Sequence, residues 1–278
     1  MARKELRRSG GKWLPVLGLV LAAAVVAGYL WLRQGAEPAV QQPLAVAPAM
    51  PVEPGNVAGG VIEPPVSLPP PEPPVEFAGE VLPELDDSDA AFGEAVSGLL
   101  GEHGGLVVIN HLVRRIVVAV DNLPGESLPQ ARSPLRPPEG SFRVAGEGAE
   151  MSIAADNAAR YTRYVRLAEA LPAERVVALY ARFYPLFQAA YEELGYGPAA
   201  QFNDRLVAVI DHLLAAPEIS GPVALVQPKV RYLFADARLE GLSAGQKVMI
   251  RMGTDNATRV KARLREIRAL LAAGGRPG

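Results

Sequence analysis

Residues 202–214 read Phe-Asn-Asp-Arg-Leu-Val-Ala-Val-Ile-Asp-His-Leu-Leu, and they decide the class of the fold. Phe202, Leu206, Val209, Ile210 and Leu213 recur at intervals of three and four, the period that gathers apolar side chains on one face of an α-helix. The helix is expected from about Gln201 to Ala215, and Pro217 closes it. Its remaining positions carry the most interesting polar set of the chain: Asn203, Asp204 and Arg205, then Asp211 and His212. On a helix, positions 204 and 211 fall two turns apart on one face, as do 205 and 212. Two carboxylates beside a His and an Arg are the ingredients of general acid–base chemistry if burial raises one carboxyl pKa. The same residues equally suit a structural part, with Asp204 balancing the positive helix end and pairing with an arginine, and this reading is preferred.

Working outward, the neighbouring segments are mostly helical too. Upstream, Leu171-Pro172 starts a helix that Gly195 stops, with Val176, Leu179, Phe183, Phe187, Ala190 and Leu194 as its stripe and Pro185 bending it. Asp156 or Asn157 is placed to cap the helix before it, which runs through Ala170. Ser141 to Ile153 carries Phe142 and Val144 in alternation before Gly146-Glu147-Gly148, a hairpin signal. Leu128 to Pro138 is a proline-punctuated connection. From Leu106 to Val120 the apolar stripe is helical, although its β-branched content leaves a strand open; Leu123-Pro124 ends it. Asp86, Asp87 and Asp89 start a short helix through Leu100, and Gly104-Gly105 breaks it. Downstream, Val230 to Phe234 suits a short strand. A last helix from Ala244 to Leu271 faces inward with Val260, Leu264, Ile267 and Leu271.

Several polar sets invite a sharper reading. Arg114-Arg115 and Asp121-Asn122 place paired guanidinium groups within an apolar helix. They suit either ion pairs, with Asp204 or Asp211 as partners, or an anion pocket. Tyr180 and Tyr184 belong to an aromatic stripe of core type that can also line a groove for a peptide or glycan. The ligand-binding candidates are therefore Arg114, Arg115, Asp121, Asn122, Asn203, Arg205, Tyr180 and Tyr184. Catalysis has only the weaker set Asp204, Asp211 and His212. Gly241-Leu242-Ser243-Ala244-Gly245 matches the nucleophile-elbow pattern, but no strand directly precedes Ser243 and no histidine follows it. Ser243 with Gln246 reads better as a capping box. The three histidines (His103, His111, His212) and the lack of cysteine offer no metal motif, so neither metal nor cofactor is expected.

The N-terminal third differs in kind. Between Lys12 and Arg33 no side chain is charged, and Trp13 and Trp31 stand at the two ends. About 20 apolar helical residues span the hydrocarbon core of a bilayer. Arg3, Lys4, Arg7, Arg8 and Lys12 precede the stretch, which orients it with the N-terminus in the cytoplasm. The run is longer than the core of a cleavable signal peptide, so an uncleaved signal anchor is expected. Half of the 26 prolines fall between Ala36 and Pro83, in a segment too poor in apolar periodicity to fold alone. Charge divides as well: Gln34 to Val113 holds twelve Asp or Glu and no Lys or Arg, whereas Arg114 onward holds 22 basic and 17 acidic residues.

The stretches 114–124, 180–191, 202–214 and 242–247 resemble a bacterial domain-of-unknown-function family (DUF3014) of uncharacterised single-span membrane proteins. The resemblance covers most of 85–271 and implies no activity, cofactor or catalytic residue. The whole chain is expected to be mainly α. Its parts are a cytoplasmic tail (1–12), a transmembrane helix (13–32), a disordered Pro-rich acidic linker (33–84), a periplasmic helical bundle with a small β-hairpin (85–272) and a disordered tail (273–278). The expected function is a membrane-anchored periplasmic binding or scaffold protein of the cell envelope. Its expected partners are the inner membrane through 13–32 and an envelope protein or glycan, not nucleic acid. The rival is an envelope hydrolase or transferase acting on peptidoglycan or a lipid-linked glycan through Asp204, Asp211 and His212.

Overall fold

The computed structural model describes residues 68–77 and 79–274. The expected cytoplasmic tail, the membrane span and most of the linker lie outside the described residues, as do residues 275–278. Among the described residues there are eight α-helices: α1 Ser88–Leu100, α2 Leu112–Asn122, α3 Thr162–Ala170, α4 Ala173–Glu192, α5 Phe202–Leu214, α6 Ala237–Glu240, α7 Ala244–Arg251 and α8 Thr254–Gly274. Four two-residue strands accompany them: β1 Val144–Ala145, β2 Ser152–Ile153, β3 Leu225–Val226 and β4 Leu233–Phe234. The mainly helical class is thus observed, and none of the described helices is long and apolar enough to cross a membrane.

The core forms where the apolar stripes meet. Helix α2 packs on α1, α4 and α5, and α8 packs on α3, α4, α5 and α7. The α5 stripe is buried along its whole length, as are Val260, Leu264, Ile267 and Leu271 of α8. Burial of such side chains contributes on the order of 1.5–3 kcal/mol each, which is the main force holding the helices together. Aromatic edges and faces fill the α1–α4–α5 junction: Phe92 meets Phe183 edge-on at 5.1 Å, and Phe187 stacks on Phe202 at 5.8 Å. A smaller apolar cluster of Val223, Leu225, Phe234 and Ile250 lies beneath two hairpins. β1 pairs with β2 (Val144 opposite Ile153) and β3 with β4 (Leu225 opposite Phe234), and a Ser152–Ala224 bridge joins the two.

Several elements differ from expectation for identifiable reasons. Helix α1 ends at Leu100 as expected, but the break is Gly101, with a φ of 48°, and not Gly104-Gly105. Helix α2 begins only at Leu112, because Val107 is drawn into an extended bridge with Leu135. His111 then turns with φ 52°, and the carboxylate of Asp89 on α1 accepts from the N–H groups of His111 (2.7 Å) and Leu112 (3.3 Å). A residue expected to serve its own helix therefore caps the next one. The expected final helix divides at Gly253, whose φ of 85° is open to glycine, separating α7 from α8. Neither Asp156 nor Asn157 caps α3. Asn157 is buried instead, donating to the Arg251 carbonyl and accepting from the Arg143 N–H. Pro172 stands just outside α4, which is continuous through Pro185, and Leu194 lies beyond its end, partly exposed. Of the short strand expected at Val230 to Phe234 only Leu233–Phe234 (β4) forms, and its partner β3 was not expected.

Packed chain also begins upstream of residue 85. Leu68 and Leu82 lie against the main core and Pro71 is buried. The end of the proline-rich segment therefore lies on the helices.

Candidate functional site

Helix α5 distributes its polar side chains to three different neighbours. Arg205 reaches α2, where its Nε donates to Asp121 Oδ1 at 2.9 Å and its guanidinium also donates to the Asp121 carbonyl at 2.6 Å. The Tyr196 hydroxyl donates to the same Asp121 oxygen at 3.0 Å. Asp211 turns to α8 and accepts three hydrogen bonds from Arg268, at 3.0 and 3.2 Å from Nε and 3.1 Å from a terminal nitrogen. His212 turns to the start of α7, with Nε2 2.7 Å from Ser243 Oγ. Asp204 lies in the first turn of α5, half-buried, where its charge helps to raise the pKa of Tyr180 and Tyr184. Asp211 and His212 thus face separate partners, and each links α5 to a different helix.

The paired arginines of α2 also part. Arg114 donates to Glu193 (2.6 Å) and Asp86 (2.7 Å), not to Asp204 or Asp211. The two carboxylates raise its pKa, and it holds the Glu193 carboxyl below the usual range. Arg115 donates to the carbonyls of Asn110, Ala131 and Ser133, tying the start of α2 to the loop after it. Asn122 donates back to the Val118 carbonyl within its own helix. Charged hydrogen bonds of this kind contribute about 1.5–3 kcal/mol where partly buried, and they fix helix register.

The Ser243–His212 contact bears on the nucleophile-elbow pattern. Burial, followed by the positive charge of Arg205, lowers the His212 pKa, so the ring is neutral at pH 7 and its Nε2 can accept from the hydroxyl. That resembles the first two members of a hydrolase triad. An acyl-transfer site also needs free N–H donors where an oxyanion develops. Here the Ala244 and Gly245 N–H groups donate to the carbonyls of Gly125 (2.8 Å) and Leu123 (2.9 Å), and the Gln246 N–H donates to Ser243 Oγ at 3.2 Å. The donors at the start of α7 are consumed in joining it to the end of α2. Gly245 is needed for that approach, since a Cβ there would lie 2.7 Å from Leu213 Cδ2. Ser243 therefore caps α7 as expected. The Gln246 side chain departs from a full capping box by donating to the His212 carbonyl.

Tyr180 is buried and donates to Asn203 Oδ1 at 3.3 Å; burial raises its pKa well above the ordinary value. Half-buried Tyr184, with its pKa pushed up to about 12, donates to Gln201 at 2.8 Å. Asn203 is also buried, and its Nδ2 donates to the carbonyls of Leu68 (2.8 Å) and Pro69 (3.3 Å). Tyr180 and Asn203 thus sit beneath the proline-rich segment.

One cavity had no warning in the sequence. A cleft of about 490 Å³ opens between the first hairpin, the Pro217–Val223 loop and the α7–α8 junction. Ile153, Ile219, Val223, Met249, Ile250 and Ala257 line it. These are apolar residues from separated segments, and only folding brings them together. Among the described residues no group of three or more His, Cys, Asp or Glu side chains is placed to hold a metal ion.

A comparison with protein families matches residues 112–268, more than half of the chain, to one described as a protein of unknown function (DUF3014). No curated protein and no solved structure matches the chain.

Proposed function

We propose, for a chain that belongs to the DUF3014 family of proteins of unknown function, a role as a membrane-anchored binding or scaffold protein of the bacterial cell envelope. In this reading residues 13–32 hold it in the inner membrane as a single pass, with the N-terminus cytoplasmic and the C-terminal domain periplasmic. One observation carries the choice of binding over catalysis: the side chains best suited to chemistry are committed to holding helices together. Arg205 grips Asp121, Arg268 grips Asp211, and Arg114 bridges Asp86 and Glu193. A tether raises the local concentration of such a domain near envelope proteins or glycans, so modest contacts suffice.

The test has two arms. Reporters fused after Leu271 should be active outside the cytosol, and the mature chain should retain its N-terminus; a cytosolic reporter, or a mature chain beginning beyond Tyr29, overturns the topology. Affinity capture from membranes with the full chain should recover the same partners from the wild type and from an Asp204→Ala, His212→Ala variant. Loss of those partners in the variant would place the site at Asp204 and His212 and favour the second reading. That reading, an envelope hydrolase or transferase using Asp204, Asp211 and His212, draws on the His212–Ser243 contact alone.

A further inference from the structure

Proline has no backbone N–H, so each proline of a segment is recognised through its carbonyl and its ring. Residues 68–74 read Leu-Pro-Pro-Pro-Glu-Pro-Pro, and the helices meet them in those terms. Asn203 of α5, fully buried, donates from Nδ2 to the Leu68 and Pro69 carbonyls, and the Tyr180 hydroxyl on its Oδ1 fixes which way the amide points. Pro71 is buried beside the end of α8, where a Cβ added to Gly274 would come within 3.3 Å of the Pro71 ring. A second grip lies downstream on α4. The Arg182 guanidinium stands 4.2 Å from the Phe77 ring centre and donates to both Glu80 carboxylate oxygens, at 2.7 and 2.6 Å. Between the two grips Glu72, Pro73 and Val75 are exposed.

We propose that the α4–α5–α8 seat is a binding site for proline-rich acidic segments, occupied in cis by Leu68–Glu80, and that a partner segment of the same chemistry enters by displacing it. The proposal rests on the binding reading above and names the partner class. An orienting hydroxyl, an amide aimed at two backbone carbonyls, and an arginine shared by a ring and a carboxylate make up a recognition surface. Displacement also has a mechanical result: releasing thirteen residues adds up to about 40 Å of reach, at roughly 3.1 Å per extended residue. Linked through a few residues to α1, the cis segment competes at an effective concentration on the order of millimolar, so free partner peptides bind the intact chain weakly.

The test uses the full chain in detergent micelles and a fluorescent peptide with the sequence of residues 68–80. A variant carrying Pro69→Gly, Pro70→Gly and Pro71→Gly loosens the cis segment without altering the helices. It should bind the peptide saturably and on the order of a hundredfold more tightly than wild type. Adding Asn203→Asp keeps an acceptor for Tyr180 but removes the donor, and should abolish the gain, with the unfolding midpoint reported alongside. Arg182→Gln, on the opposite grip, should weaken binding as well and keeps the test decisive if Asn203→Asp lowers the fold. A scrambled peptide of the same composition should not compete. Absence of saturable binding to the triple variant, equal binding of the scrambled peptide, or unchanged affinity in both Asn203→Asp and Arg182→Gln overturns the proposal. The titration is independent of membrane topology, so its failure and that of the reporter assay are separable.

Discussion

Gly245→Ala separates helix propensity from tertiary packing at the one place where the chain imitates a nucleophile elbow. Gly245 lies in the first turn of α7, where alanine is the better helix former by up to about 1 kcal/mol. Its new methyl group would meet Leu213 Cδ2 at 2.7 Å, the Leu123 carbonyl oxygen at 3.0 Å and Leu123 Cδ2 at 3.1 Å. Side chains can yield by rotation, but the Leu123 carbonyl is backbone and accepts the Gly245 N–H at 2.9 Å. Overpacking of this kind costs about 1–3 kcal/mol and a stretched hydrogen bond about 1 more, which outweighs the propensity gain. The net expectation is a loss of about 1–3 kcal/mol, or roughly 3–10 °C in Tm for a domain of this size. Circular dichroism melts of the full chain in detergent would read it, with Gly105→Ala as the control. Apart from its own neighbouring chain, nothing lies within 4 Å of a Cβ at Gly105, and that variant should stay within about 0.5 kcal/mol of wild type. Should Gly245→Ala melt at or above the wild-type temperature, the start of α7 is not pressed against α2, and the packing account of this motif fails.

Three further outcomes follow from the same geometry. Ser243→Ala removes the α7 cap and should cost about 1 kcal/mol; a fluorophosphonate probe should leave Ser243 of the native chain unmodified by mass spectrometry, and labelling there would restore a nucleophilic role. Asp89→Ala uncaps α2 from a neighbouring helix and should destabilise by about 1 kcal/mol, with faster amide exchange at His111 and Leu112; unchanged exchange would contradict the crossed cap. His212 titrates below its ordinary value of 6.5, so the folded chain binds fewer protons than the unfolded one as pH falls past that value. Its contribution is present above the unfolded pKa and is lost as pH drops through the folded one. Melts from about pH 7.5 to pH 5 should therefore decline less steeply in His212→Gln than in wild type, and equal slopes would refute the assignment.

What the sequence determined by itself is whatever a few turns of chain decide locally. The stripes Phe202–Leu213 and Val260–Leu271 are buried as their period requires, the helix through Gln201 to Ala215 matches α5 to within a residue or so, and Ser243 caps the helix that follows it. Periodicity and capping involve neighbours within about one helical turn, so they are written in the order of the residues. Tertiary structure alone decided the choice among distant partners. Carboxylates on Asp86, Asp121, Glu193 and Asp211 are chemically equivalent candidates for any arginine, and only the packing of the stripes brings Arg205 to Asp121 and Arg268 to Asp211. The same holds for Asp89 at the head of α2, for Asn203 beneath Leu68, and for the cleft beside Ile219. Apolar burial fixes how the helices lie, and the polar side chains then bond to whatever groups that arrangement sets within about 3 Å of them.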